Sequence, residues 1–533
     1  MSTGPVAAVK APTRGESLAV FVIALAASLP LTLHFGHLGF HFEDLSIPFD
    51  GGFRVALGQE PFVDFVAPIG PVLFLQQGLV FKLFGVSLEV FLLHAAVLGA
   101  LSTWMVWGWM RRSDPWLAGV AAGVTLAWFY LPVSAPYIDT TAFFWVLVAL
   151  AVAFPAGFET APGSAPPWRL VLAGCCAGLA ILTKQNIGVL GTAGLALLLV
   201  IHHWRLRAGV LFGVGATLPV ALLMAYVASR GGWSAFVEYF WHVPLDSGRL
   251  KYIMPWAGRM VIKLWRPELI NSDMSFMMGK AIRELMAYGI VLWMGWRWLR
   301  NHSLGDRTGQ RLACVLAAFL LLLQQWSFNT SNNDEVLYWP FLGLVLASIC
   351  RGLWGDSSAE RASLRRFMAA AGVLTMAVGI GLAASRVAHS QFPERLTHRM
   401  EHPRLEGLRL TPQEGHDLEA LLTFIDRSVG PHDGLFVLGH TTLIYGASGL
   451  EPPQPLLWFR AGVSYAESDS ASTDLMIVKS LEDHKVEWIV LDPVGADELL
   501  EDFPGVARLL EERFRPHVDL GGYRVHRRLG AHG

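Results

Sequence analysis

Up to about residue 385 the chain reads as one apolar run after another. Each run is close to the roughly 20 residues that a helix needs to cross the hydrocarbon core of a bilayer. Composition agrees: of 533 residues, 53% are hydrophobic and only 16% are Asp, Glu, Lys or Arg, with a mean hydropathy of +0.43. Soluble chains carry about a quarter of their residues as charges. The runs predict an α-helical polytopic membrane protein with about eleven transmembrane helices. A small α/β domain is expected over 386–533, after a membrane domain over 1–385. The lipid bilayer is then an obligate partner. A net charge of −2 without a basic tail points to no nucleic acid.

The spans fall at about 18–36, 86–110, 115–131, 140–156, 170–183, 187–203, 208–228, 280–297, 311–328, 336–352 and 367–385. No small-x-small cleavage site follows the first run, so it reads as a retained helix rather than a signal peptide. Lys and Arg in short loops mark the cytoplasmic side. The groups Arg111-Arg112, Arg169, Arg205 with Arg207, the cluster over 297–311, and Arg361 with Arg365-Arg366 all fall where alternate crossings return to the side of Lys10 and Arg14. The N-terminus is therefore expected in the cytoplasm, and the C-terminal domain outside a bacterial cytoplasmic membrane. Cys175, Cys176, Cys314 and Cys350 lie inside apolar runs without CxxC spacing and read as small core residues.

On that topology three polar segments, 34–84, 230–279 and 327–338, share the outer face. The first opens with the carboxylate pair Glu43-Asp44. It continues in an amphipathic helix over about 48–57 that ends at Gly58, then a Pro/Gly-rich turn, then an apolar stretch lying along the interface. A carboxylate in such a place can take the proton of a hydroxyl.

This loop resembles the GT-C superfamily of polyprenyl-phosphate-sugar-dependent glycosyltransferases, in particular the bacterial relatives of protein O-mannosyltransferases and of the aminoarabinose transferase of lipid A. Gly58-Gln59-Glu60-Pro61-Phe62-Val63-Asp64-Phe65 fits the family run G-x-x-P-Y-x-D-F with Phe62 in place of tyrosine, and Asp44 stands fourteen residues before Gly58. That register implies Asp44 as the catalytic aspartate. The family order is D-E, whereas this chain has Glu43 before Asp44, so either carboxylate is a candidate base. The resemblance further implies a polyprenyl-phosphate-linked sugar donor and a lipid, glycan or protein acceptor. In some relatives it implies a divalent metal ion (Mg or Mn), for which Asp44 and Asp139 are the candidate ligands.

Asp139, beside Tyr137 at the start of the fourth span, is either a second acidic site residue binding substrate or metal, or a helix N-cap. Lys184 sits in a break between two short helices, where Gly178-Leu179-Ala180-Ile181-Leu182-Thr183-Lys184 matches a family G-x-x-x-L-x-K stretch. It either binds the lipid phosphate or snorkels to the interface. Arg249, Lys251 and Arg259 in the second outer segment are candidates for meeting carrier phosphates at the lipid surface. Asp334 in the Asn- and Ser-rich third segment is a candidate for sugar or acceptor binding, or part of a plain turn. After 386, strands are expected at 434–439, 486–491 and 523–525, and helices at 418–425 and around Ala507, Leu509, Leu510 and Phe514. Other membrane functions that the pattern admits are a transporter or flippase and a polymerase or ligase of lipid-linked saccharides.

Overall fold

The computed structural model describes residues 12–111, 115–154, 166–203, 206–246, 264, 358–385, 393–460, 464–465 and 470–530. The spans expected at 280–297, 311–328 and 336–352 lie outside them.

Nine apolar or amphipathic helices follow in order among the residues before 230: α1 (Arg14–Gly36), α2 (Phe42–Leu57), α3 (Val72–Phe84), α4 (Leu88–Arg111), α5 (Pro115–Trp128), α6 (Ile138–Ala153), α7 (Pro167–Ile181), α8 (Gln185–His203) and α9 (Leu206–Ser229). Among the described residues α1, α4 and α9 are long and apolar enough to cross a membrane, and several shorter apolar helices pack among them. The chain is a multi-pass membrane protein. Where no hydrophobic effect drives helices together, small residues let backbones approach. α7 and α9 pack this way. A Cβ on Gly174 would stand 2.1 Å from the carbonyl oxygen of Phe212, and one on Gly215 would stand 2.1 Å from that of Val171. A later helix, α10 (Ser358–Ser385), lies against α5, and the Trp128 indole N–H donates to the Thr375 carbonyl at 2.5 Å.

α2 does not cross. It carries Glu43, Asp44, Asp50 and Arg54 and wedges between α3, α4 and the C-terminal region. The Phe49 ring meets Phe81 and Phe91, each at 5.3 Å. It starts at Phe42, six residues before the expected start, and runs through Pro48. The reading erred because proline favours a first helical turn. Here His41 supplies the cap instead, its Nδ1 accepting the N–H of Asp44 at 3.3 Å.

The C-terminal region is α/β. Its sheet has the order β3-β4-β6-β5, with β3 (Gly434–Leu438) parallel to β4 (Val486–Leu491) and antiparallel pairing of β6 (Tyr523–Arg528) with both β4 and β5 (Phe514–Leu520). A short ladder of β1 (His398–Arg399) and β2 (Arg409–Leu410) precedes it. The last helix ends at Arg513, so Phe514 opens β5, a strand absent from the sequence reading. The region is sewn to the helices by backbone bonds. Arg409 N–H donates to His37 O at 2.7 Å, Leu88 N–H to Arg404 O at 2.8 Å and Val66 N–H to Pro455 O at 2.7 Å.

Candidate active site

The first turn of α2 carries two carboxylates, which the positive end of a helix favours. Successive residues on a helix point about 100° apart, and the two side chains part accordingly. Glu43 turns out and pairs with Arg460 of the C-terminal region. Asp44 turns in, with Oδ2 3.4 Å from His41 Nδ1, and stays 19% exposed. Burial pushes the Asp44 carboxyl above its ordinary value. Glu43 and Asp139 push the same way, while His41 and Arg460 oppose them. Asp44 is thus a base-strengthened carboxylate within electrostatic reach of Asp139.

Asp139 lies in the first turn of α6, and its side chain is fully buried. It is not the N-cap. That position belongs to Tyr137, which is buried, makes no side-chain cap bond and gives its carbonyl to Thr141 N–H at 2.9 Å. Instead the Asp139 carboxylate holds the Lys184 ammonium. Lys184 is 14% exposed at its side chain and does not snorkel. Its place is fixed by the break between α7 and α8. Val72 N–H donates to Leu182 O at 3.1 Å, and Gln185 Nε2 donates to Pro68 O at 3.3 Å and to Phe240 O at 2.9 Å. Gly70 is required here, since a Cβ would fall 1.9 Å from Leu182 O.

The motif around Phe62 builds the floor of the site rather than its chemistry. Gly58 ends α2 in the left-handed region at φ 101°, and Phe62 takes φ 66°, a conformation non-glycine residues rarely adopt. Its ring sits edge-on to Phe236 at 5.2 Å. Glu60 receives two hydrogen bonds of 2.9 Å from Arg230, which hold its carboxyl below the ordinary range. Asp64 accepts the Glu60 N–H at 2.7 Å and closes the turn.

Beneath Glu43 and Asp44 lies a second buried pair, Asp50 and Arg54, with Nε to Oδ2 at 3.1 Å. Arg54 also donates to the Gln454 carbonyl at 2.7 Å and lies over the Phe65 and Tyr445 rings. Arg460, His41, Arg54 and Gln454 were not singled out from sequence. His242 makes a surface pair with Glu238 at 3.2 Å. Arg249, Lys251, Arg259 and Asp334 lie outside the described residues.

Asp44 and Asp139 do not form a metal-ligand set among the described residues. Lys184 already neutralises Asp139, and no third His, Cys, Asp or Glu joins them.

Residues 67–230, which include Asp139 and Lys184, match the dolichyl-phosphate-mannose-protein mannosyltransferase family. The whole structure resembles ArnT from Cupriavidus metallidurans bound to undecaprenyl phosphate, with a TM-score of 0.54 and 14% identity over 97% of this chain and 99% of that one. The chain shares the fold of that structure. The archaeal oligosaccharyltransferase AglB from Archaeoglobus fulgidus, in complex with an inhibitory peptide and a dolichol-phosphate, matches at a TM-score of 0.46 and 12% identity over 95% of this chain and 74% of that one. No curated protein sequence matches. Within this fold the carboxylates and Lys184 gather at the end of the helices that meets the C-terminal region.

Proposed function

We propose that the chain is a membrane glycosyltransferase that moves a sugar from a polyprenyl-phosphate donor to a lipid, glycan or protein acceptor, on the outer face of a bacterial cytoplasmic membrane. The observation that carries this reading is the placement of the largely buried Asp44 within electrostatic reach of Asp139, whose carboxylate holds Lys184, at the end of an apolar helix assembly. Asp44 takes the proton of the acceptor hydroxyl, and the acceptor oxygen bonds to the anomeric carbon. The bond from that carbon to the phosphate oxygen breaks. The bonding electrons leave with the polyprenyl phosphate, which gains one negative charge. Lys184, held in place by Asp139, sits where it can meet that charge at low cost in reorganisation. A lipid-linked donor suits the site because its tail can lie along the apolar helices while its phosphate stays at their polar end.

The test uses the full-length protein in proteoliposomes made with a bacterial envelope extract that supplies lipid, glycan and protein acceptors, with undecaprenyl-phosphate-linked glucose, mannose or aminoarabinose as donor, following release of undecaprenyl phosphate. Asp44→Asn is expected to lower release by at least about 100-fold, the scale of a general base. Because burial raises the Asp44 carboxyl, the acid limb of the wild-type pH profile should lie above the ordinary carboxylate range. Undiminished release by Asp44→Asn removes Asp44 from the mechanism. Movement of intact donor across the bilayer without release would make the protein a transporter.

A further inference from the structure

We propose that Arg460, supplied by the C-terminal region, is a positioning residue for the transfer site: by holding Glu43 it fixes the first turn of α2 and with it the direction in which Asp44 is presented. The proposal rests on Asp44 being the base of the reading above.

Three observations support it. The contact joins residues far apart in sequence, and Arg460 follows a stretch (454–457) that is itself fastened to the helices. Val66 N–H donates to Pro455 O at 2.7 Å, Leu457 N–H donates to Val66 O at 3.3 Å, and the Arg54 guanidinium bonds the Gln454 carbonyl at 2.7 Å. Arg460, whose side chain is 54% exposed, therefore reaches Glu43 from backbone that is bonded to the helices at Gln454, Pro455 and Leu457. Next, the turn it grips is short of internal restraint. Its cap includes a long bond of 3.3 Å from the Asp44 N–H to His41 Nδ1, and Pro48 has no N–H to offer the Asp44 carbonyl. Finally, Glu43 and Asp44 are neighbours on one turn, so a hold on Glu43 sets the rotation at which Asp44 is presented. The order Glu-Asp then has a reason: the first carboxylate is the handle and the second does the chemistry. The C-terminal region becomes part of the catalytic apparatus.

The experiment compares Arg460→Gln, Arg460→Lys, Glu43→Gln and the double variant Arg460→Gln/Glu43→Gln, all full-length in nanodiscs. Amide hydrogen exchange is followed over 41–47, where Asp44 N–H and Leu45 N–H bond His41. Arg460→Gln and Glu43→Gln should speed exchange there to the same degree, the double variant no further, and Arg460→Lys should stay near wild type. Exchange through the sheet of the C-terminal region should not change. With any of the three donors named above that wild type turns over, Arg460→Gln should lower kcat by about tenfold or more at unchanged donor KM, and Arg460→Lys should recover most of it. Unaltered exchange over 41–47, or loosening of the whole C-terminal region, overturns the proposal. So does a rise in donor KM at constant kcat, which would make Arg460 a donor contact. If Asp44→Asn keeps full turnover while exchange behaves as stated, the base assignment fails and the positioning contact stands.

Discussion

Lys184 and Asp139 come from different apolar segments, and neither charge is tolerable alone at that depth. A buried ion pair adds little net stability, but removing one partner strands the other. Lys184→Met should therefore cost about 3–5 kcal/mol and lower expression, because Asp139 is left uncompensated. Adding Asp139→Asn should restore most of that folding energy while leaving sugar transfer lost. Thermal aggregation and donor turnover, measured on the same samples, separate the two effects; recovery of turnover in the double variant would show that Lys184 serves only to balance Asp139. Asp50 makes a pH prediction. Burial raises its carboxyl from 3.8 to about 6, against the pull of Arg54. The folded chain then keeps a proton that the unfolded chain has already lost, so its contribution to stability falls as pH rises through about 3.8 to about 6 and is level above. The difference in aggregation temperature between wild type and Asp50→Asn should change in that window and in that sense. A difference that is flat there, or that changes in the opposite sense, would refute the assignment.

At the level of elements, the sequence made the apolar helices legible because length and hydropathy alone select them in lipid. α4 and α6 to α9 lie within a few residues of the expected spans. The start of α2 was misread because its cap is a histidine, outside the usual Ser, Thr, Asp and Asn set. β5 was missed because its Arg-Pro-His stretch shows no apolar alternation; its pairing with β6 decides it. The candidate site was half legible. Asp44, Asp139 and Lys184 stood out as charges at the edges of apolar runs. Arg460 and Gln454 had no local signal, since their roles arise from contacts across most of the chain. Glycine spacing offers a direct check on the helix packing. Gly174→Ala drives a Cβ into the backbone of α9, which cannot turn aside, and should cost about 1–3 kcal/mol. Gly213→Ala, whose Cβ meets nothing within 4 Å, is the control and should be neutral in the same thermal assay.

Across the molecule α1, α4 and α9, the helices long and apolar enough to cross a membrane among the described residues, share one polarity of decoration. The Gly36 end of α1 lies beside the His37–Arg409 bond, the Leu88 end of α4 bonds Arg404, and the Ser229 end of α9 leads to Arg230 on Glu60. All three ends therefore lie with the C-terminal region and α2. At the opposite ends Arg111 stands 3.9 Å from Glu16, and Arg14 and Arg207 lie nearby in sequence. A helix of 24 residues such as α9 separates its ends by about 36 Å, a full bilayer core. The basic residues at the far end favour the cytoplasm for it, and on the function proposed above Asp44, Lys184 and the C-terminal sheet are expected outside. Single cysteines in a background without the four native ones decide this. Leu57→Cys at the end of α2 and Leu475→Cys in the C-terminal region, both exposed, should react with a membrane-impermeant maleimide on intact cells. Leu206→Cys at the start of α9, 74% exposed, should react only after the cells are opened. Labelling of Leu206→Cys alone on intact cells would place the carboxylates in the cytoplasm, where nucleotide sugars are available and a lipid-linked donor loses its rationale.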